Sequence, residues 1–122
     1  MTTSLKNASD SEYWQNSAHA EILAVIKKEG QITYNALAAA AQMTGPYKIH
    51  RLTLWLEEMM VEDYRNGRPL RAAVVISKAG VGLPARGFFE KAEELGLKFE
   101  TADRARHYQN YLQTVYASKW DN

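Results

Sequence analysis

A chain of 122 residues, 46% hydrophobic and 24% charged, has the size and composition of one globular domain with a core of its own. Its formal net charge of +1 excludes a global basic field, so any binding of nucleic acid must rest on a local patch. The absence of cysteine excludes disulfides, thiolate metal sites and cysteine nucleophiles, and it fits a reducing, cytoplasmic setting.

Residues 1–9 are rich in Ser, Thr and Asn and read as a flexible tail ahead of a single domain over 10–122. The tail lacks the apolar segment of a signal peptide, and no apolar run approaches the ~18 residues of a membrane span, so no membrane partner is expected. Ser9 and Glu12 have capping-box spacing, which starts a helix near Asp10. Its inner stripe is Trp14, Ala18, Ile22, Val25 and Ile26, and Gly30 follows as a stop.

Gln31-Ile32 is a short extended connector. Thr33 is a good N-cap for an alanine-rich helix over Tyr34–Met43. Gly45-Pro46 breaks the chain, with Pro46 suited to a first helical turn. A third helix, Tyr47 to Tyr64, carries Ile49, Leu52, Leu56, Met59 and Met60 inward. Its charges run against its dipole. Lys48, His50 and Arg51 lie at the start and Glu57, Glu58, Glu62 and Asp63 at the end, which costs about 0.3–1 kcal/mol per well-placed charge.

Asn66-Gly67 signals a turn, and Pro69 suits the beginning of a strand. The run over 70–77 is too continuously apolar for a strand with one wet face, so it is expected to be covered on both sides. Its partners are sought in Ile32, Val61–Tyr64 and Leu97–Glu100. A loop with Gly80, Gly82 and Pro84 leads into a short helix, Phe88 to Leu95, stopped by Gly96. Thr101 can cap a last helix whose stripe is Ala105, Tyr108, Leu112 and Val115.

Three helices, the second and third joined at a Gly-Pro turn and followed by a strand, form the order of a winged helix-turn-helix. The expected fold is α+β, mostly helical and winged-helix-like, with one principal strand at about 70–77 and short partner strands. In that fold the third helix reads the major groove from its N-terminal end. A DNA-contacting face is therefore expected from Lys48, His50 and Arg51, extended by the arginines Arg65, Arg68, Arg71 and Arg86. Glu58 and Glu62 share a face with Lys48 and Arg51. The bland alternative is a solvated helix whose carboxylates pair with Arg65, Arg68 and Arg71.

Ile32-Thr33-Tyr34-Asn35-Ala36-Leu37-Ala38 resembles the helix start in the C-terminal domain of O6-alkylguanine-DNA alkyltransferases and alkyltransferase-like proteins. The resemblance covers about residues 30–89 and implies a DNA-binding winged-helix domain. The family's reactive Pro-Cys-His-Arg motif would fall near Leu70–Val74, where this chain has LRAAV. Without a cysteine, alkyl transfer is excluded. The segment Arg68–Phe89 is also similar to a block in small uncharacterised bacterial proteins, to which no activity attaches.

Gly80 and Gly82 after a strand, beside Lys78 and Arg86, could cradle a phosphate. The loop has neither a P-loop ending nor a GxGxxG fingerprint, so a tight turn is the better reading. His19, His50 and His107 lack metal-ligand spacing, and no nucleophile–base pair is apparent, so no metal, cofactor or catalytic residue is expected. A competing reading is a protein-interaction module of inhibitor or immunity type, or a self-associating dimer. It would use Tyr108, Tyr111, Tyr116 and Trp120 on the last helix, with the acidic cluster Glu57, Glu58, Glu62 and Asp63 toward a basic partner.

Overall fold

A computed structural model describes residues 2–79 and 81–120, with side chains described from Tyr13 onward. Five α-helices surround a two-stranded parallel sheet: α1 (Thr2–Lys27), β1 (Ile32–Thr33), α2 (Tyr34–Ala40), α3 (Lys48–Arg65), β2 (Val75–Ile76), α4 (Arg86–Leu95) and α5 (Arg104–Ala117). A 3-10 turn, Arg71–Val74, precedes β2. The coarse expectation, a mostly helical α+β chain, is what the molecule has.

The helices follow their apolar spacing. Trp14, Ala18, Ile22, Val25 and Ile26 of α1 are buried in one core with Leu37 and Ala38 of α2 and Leu52, Leu56, Met59 and Met60 of α3. α1 already runs through Ser9 and Glu12, so that pair lies inside the helix rather than at its start. Its other end closes with Gly30 N–H donating to the Val25 carbonyl at 2.9 Å, and Glu29, at φ 55°, takes the left-handed position. Thr33 caps α2 as expected, accepting 3.1 Å from Ala36 N–H. α3 begins one residue later than its pattern suggests. Tyr47, not Pro46, makes the entry, in a left-handed conformation (φ 60°, ψ 25°).

The expected strand over 70–77 needs correction. Only Val75 and Ile76 are strand, paired in parallel with Ile32 and Thr33 in the register Ile32↔Val75, Thr33↔Ile76. Leu97–Glu100 and the end of α3 contribute no strand. Residues 70–75 are nonetheless buried throughout, as a run this apolar requires. A 3-10 turn at that depth lacks sheet partners and satisfies only some of its peptide groups itself, such as Ala73 N–H on the Leu70 carbonyl at 3.1 Å, and the remaining buried groups must find partners. Side chains supply them. Tyr111 Oη accepts from Leu70 N–H at 2.7 Å, Asp63 Oδ2 accepts from Arg71 N–H at 3.0 Å, and Tyr108 Oη donates to the Ala73 carbonyl at 2.7 Å.

The glycine-containing segment after β2 closes on itself, Ser77 N–H donating 2.9 Å to the Leu83 carbonyl. Gln31 Nε2 donates to the Gly82 carbonyl at 2.9 Å. Beyond it, α4 and α5 bracket an aromatic cluster in which Phe89 meets Phe99 edge-on at 5.4 Å and Tyr108 at 6.2 Å.

Candidate nucleic-acid interface

The sequence groups seven basic residues as one nucleic-acid face, and the fold divides them. Lys48 and His50 are exposed at the start of α3, next to Tyr47, which is 79% exposed. Arg51 is half-buried, and its Nη2 donates to the Thr44 carbonyl, bracing the Gly45-Pro46 turn from which α3 leaves. The first turn of α3 holds no acidic residue, and no side chain among the described residues caps it. The uncapped N-terminus of α3 and the exposed Lys48 ammonium lie at the same end of the helix, an electrostatic setting that favours an anion.

Arg65 is exposed at the far end of α3. Arg86 is exposed on α4 and paired 3.1 Å from Glu90 one turn on, a contact of small energetic weight. Arg68 and Arg71 do not join this surface. Arg68 is half-buried with Nη2 3.0 Å from Asp63 Oδ1, and Arg71 is only 8% exposed. Arg71 is therefore corrected from a surface contact to an internal one, because its guanidinium is enclosed by its own partners.

Those partners form a hub. Asp63 is completely buried and accepts from Arg71 Nη2 at 2.7 Å and Nε at 2.9 Å, from Arg71 N–H, and from Arg68 Nε at 3.0 Å. Glu62 Oε1 lies 3.4 Å from Arg71 Nη2. On its far side Arg71 Nη1 lies 2.7 Å from His19 Nε2 on α1, and its guanidinium sits 5.7 Å from the Trp120 ring. The alternative pairing of the α3 carboxylates with Arg68 and Arg71 is what Glu62 and Asp63 make, but sequence reasoning neither buries Asp63 nor brings His19 to them. A signal was present: Asp63 continues the 52-56-59/60 stripe of α3, so helical spacing alone places it inward.

Above the hub lies a hollow of about 310 Å³ between α1 and α3, lined by Gln15, Asn16, His19, Trp55, Glu58 and Glu62 among others. Burial and the adjacent Arg71 charge lower the His19 pKa, against a smaller opposing pull from Asp63 and Glu62.

The last-helix aromatics expected to form a partner surface are also corrected. Tyr108 has no exposed area. Tyr111 and Tyr108 serve the 70–74 backbone, Tyr116 Oη donates to the Gly30 carbonyl at 2.7 Å, and Trp120 Nε1 donates to the Val115 carbonyl at 3.0 Å. All four are engaged within the chain, Tyr108 fully buried and Tyr111, Tyr116 and Trp120 partly exposed. Of the acidic cluster, Asp63 is internal as well. Among the described residues no group of three or more His, Asp or Glu is placed to hold a metal ion, and no helix is long and apolar enough to cross a membrane.

Comparison with known proteins finds no match to this chain, whether a family model, a curated protein or a solved structure.

Proposed function

We propose that the protein binds DNA without catalysing a reaction, through the exposed N-terminal end of α3. The carrying observation is that Lys48 and His50 are exposed at the start of α3, whose first turn no side chain among the described residues caps, and that Arg51 braces the turn that precedes it. The order of elements supports a winged-helix-like reading. α1, β1, α2 and α3 run in succession and β2 returns to pair in parallel with β1, and on this reading α3 would be the recognition helix. The resemblance to alkyltransferase-like proteins points the same way. Glu58 and Glu62, farther along α3, repel phosphate and confine contact to the first turns.

Fluorescence anisotropy with a labelled duplex at low salt tests this. K48E weakens binding across duplex sequences and reduces the slope of log affinity against log salt by about one or more, as loss of a phosphate contact requires. K48E leaves the Arg51 brace in place and so reports on contact rather than on folding. Absence of binding by the unaltered protein at low salt overturns the reading.

A protein partner, or a second copy of the chain, is favoured by a separate observation. Tyr47, at the entry to α3, and Leu54, on α3 itself, are large apolar side chains 79% and 49% exposed. A monomeric sizing profile that L54A leaves unchanged counts against self-association through these side chains.

A further inference from the structure

The contact between Arg71 and His19 constrains the histidine's proton. A guanidinium can only donate hydrogen bonds, so the 2.7 Å contact from Arg71 Nη1 makes His19 Nε2 an acceptor. The imidazole is then neutral, with its proton on Nδ1. Nδ1 makes no hydrogen bond among the described residues, and His19, half-buried, lines the hollow between α1 and α3. Glu58 and Glu62 line that same hollow, and the Glu62 side chain is 63% exposed despite its long contacts with Arg68 and Arg71.

We propose that His19 is a proton-operated latch: neutral, it ties α1 to Arg71, and protonated, it leaves Arg71 for the Glu58 and Glu62 carboxylates across the hollow. Protonation removes the lone pair that Arg71 uses and sets two cations side by side at hydrogen-bond distance, which breaks the tie. The charged groups that act on the imidazole are Arg71 from the 3-10 turn and Asp63 and Glu62 from α3, and Glu58 of α3 lines the same hollow. Gln15 and Asn16, which share the hollow from α1, carry no charge. Asp63 is buried and saturated by Arg71 and Arg68, so the imidazolium goes to the exposed carboxylates of Glu58 and Glu62, the latter giving up its long contact with Arg71. The proton goes on at Nε2, and both ring nitrogens then donate. The hollow is open at neutral pH and is filled and neutralised in acid. Burial and Arg71 both set the transition below the ordinary histidine value of ~6.5.

Imidazole nitrogen NMR on the full chain, together with the Trp55 indole N–H signal at the wall of the hollow, tests the latch. At slightly alkaline pH His19 should show a protonated Nδ1 and a bare Nε2, and below pH ~6.5 the Trp55 signal should move together with His19 protonation. H19Q, whose amide oxygen still accepts from Arg71, should retain the fold and abolish the Trp55 transition. E58Q/E62Q should shift His19 protonation to lower pH by removing the receiving charges. An Nε2-protonated tautomer at neutral pH, a Trp55 transition that persists in H19Q, or an unchanged midpoint in E58Q/E62Q each overturns the proposal.

Discussion

Asp63 and Arg71 form a buried ion pair in which side chain and backbone act together: Arg71 Nη2 lies 2.7 Å from Asp63 Oδ1, and Arg71 N–H donates to Oδ2 at 3.0 Å. The pair fixes the 3-10 turn against the last turns of α3. Breaking it by removing one partner leaves the other charge buried and uncompensated, whereas replacing both by apolar side chains of similar volume does not. D63A should therefore destabilise by about 3–5 kcal/mol. D63L/R71M should lose clearly less than the sum of its single substitutions, and urea unfolding of the four proteins reports the difference. Near-additivity would show that the pair is not coupled as its geometry requires.

Gly87 and Gly96 bracket α4 and should respond to alanine with opposite sign. Gly96 ends the helix at φ 112°, and an added Cβ would lie 2.8 Å from Tyr64 Oη. Tyr64 is 42% exposed and its ring can swing aside, so the lasting cost is the left-handed backbone, about 1–2 kcal/mol for a side chain with a Cβ. G96A should lose roughly that much, and Y64A should not rescue it. Gly87 lies inside α4, and a methyl added there would meet nothing within 4 Å, so G87A should raise stability by about 0.5–1 kcal/mol. Thermal melts of the two variants check both signs.

Helix positions were legible because they depend on local patterns. The stripes of α1 and α3, Tyr108, Leu112 and Val115 of α5, the Thr33 cap and the Gly96 stop follow from spacing and backbone preference within one turn or two, whereas Ala105, expected inward, is exposed. The 70–77 segment was legible as buried but not as a 3-10 turn, because its conformation answers to distant groups. Ala72 and Ala73 have little strand preference, and Asp63, Tyr108 and Tyr111 satisfy the peptide groups that a longer strand would have paired. The same long-range bonds explain the arginines and aromatics. From composition alone, Arg71 resembles Lys48 and Tyr108 resembles a partner anchor. Only the fold separates a guanidinium held by Asp63 from an ammonium facing solvent, or a phenol bonded to Ala73 from one free to meet a partner.

Those internal phenols also set the protein's alkaline limit. Burial raises the pKa of Tyr34, Tyr108, Tyr111 and Tyr116 above the ordinary tyrosine value, and nearby hydrogen bonds offset this in part for the first three. The folded chain therefore holds these protons at a pH where the unfolded chain has begun to release them. Their contribution to stability is complete below pH ~10 and is lost progressively as pH rises from there toward the folded values. Stability should thus be flat across mildly alkaline pH and fall above ~10, with phenolate absorbance from these four residues appearing together with the loss of helix. Y108F should lose about 1–2 kcal/mol at neutral pH, because the Ala73 carbonyl and Gln31 lose their buried partner. The same variant should unfold less steeply with pH above ~10, since one raised group is gone. An unchanged alkaline slope in Y108F would show that Tyr108 does not contribute to the limit.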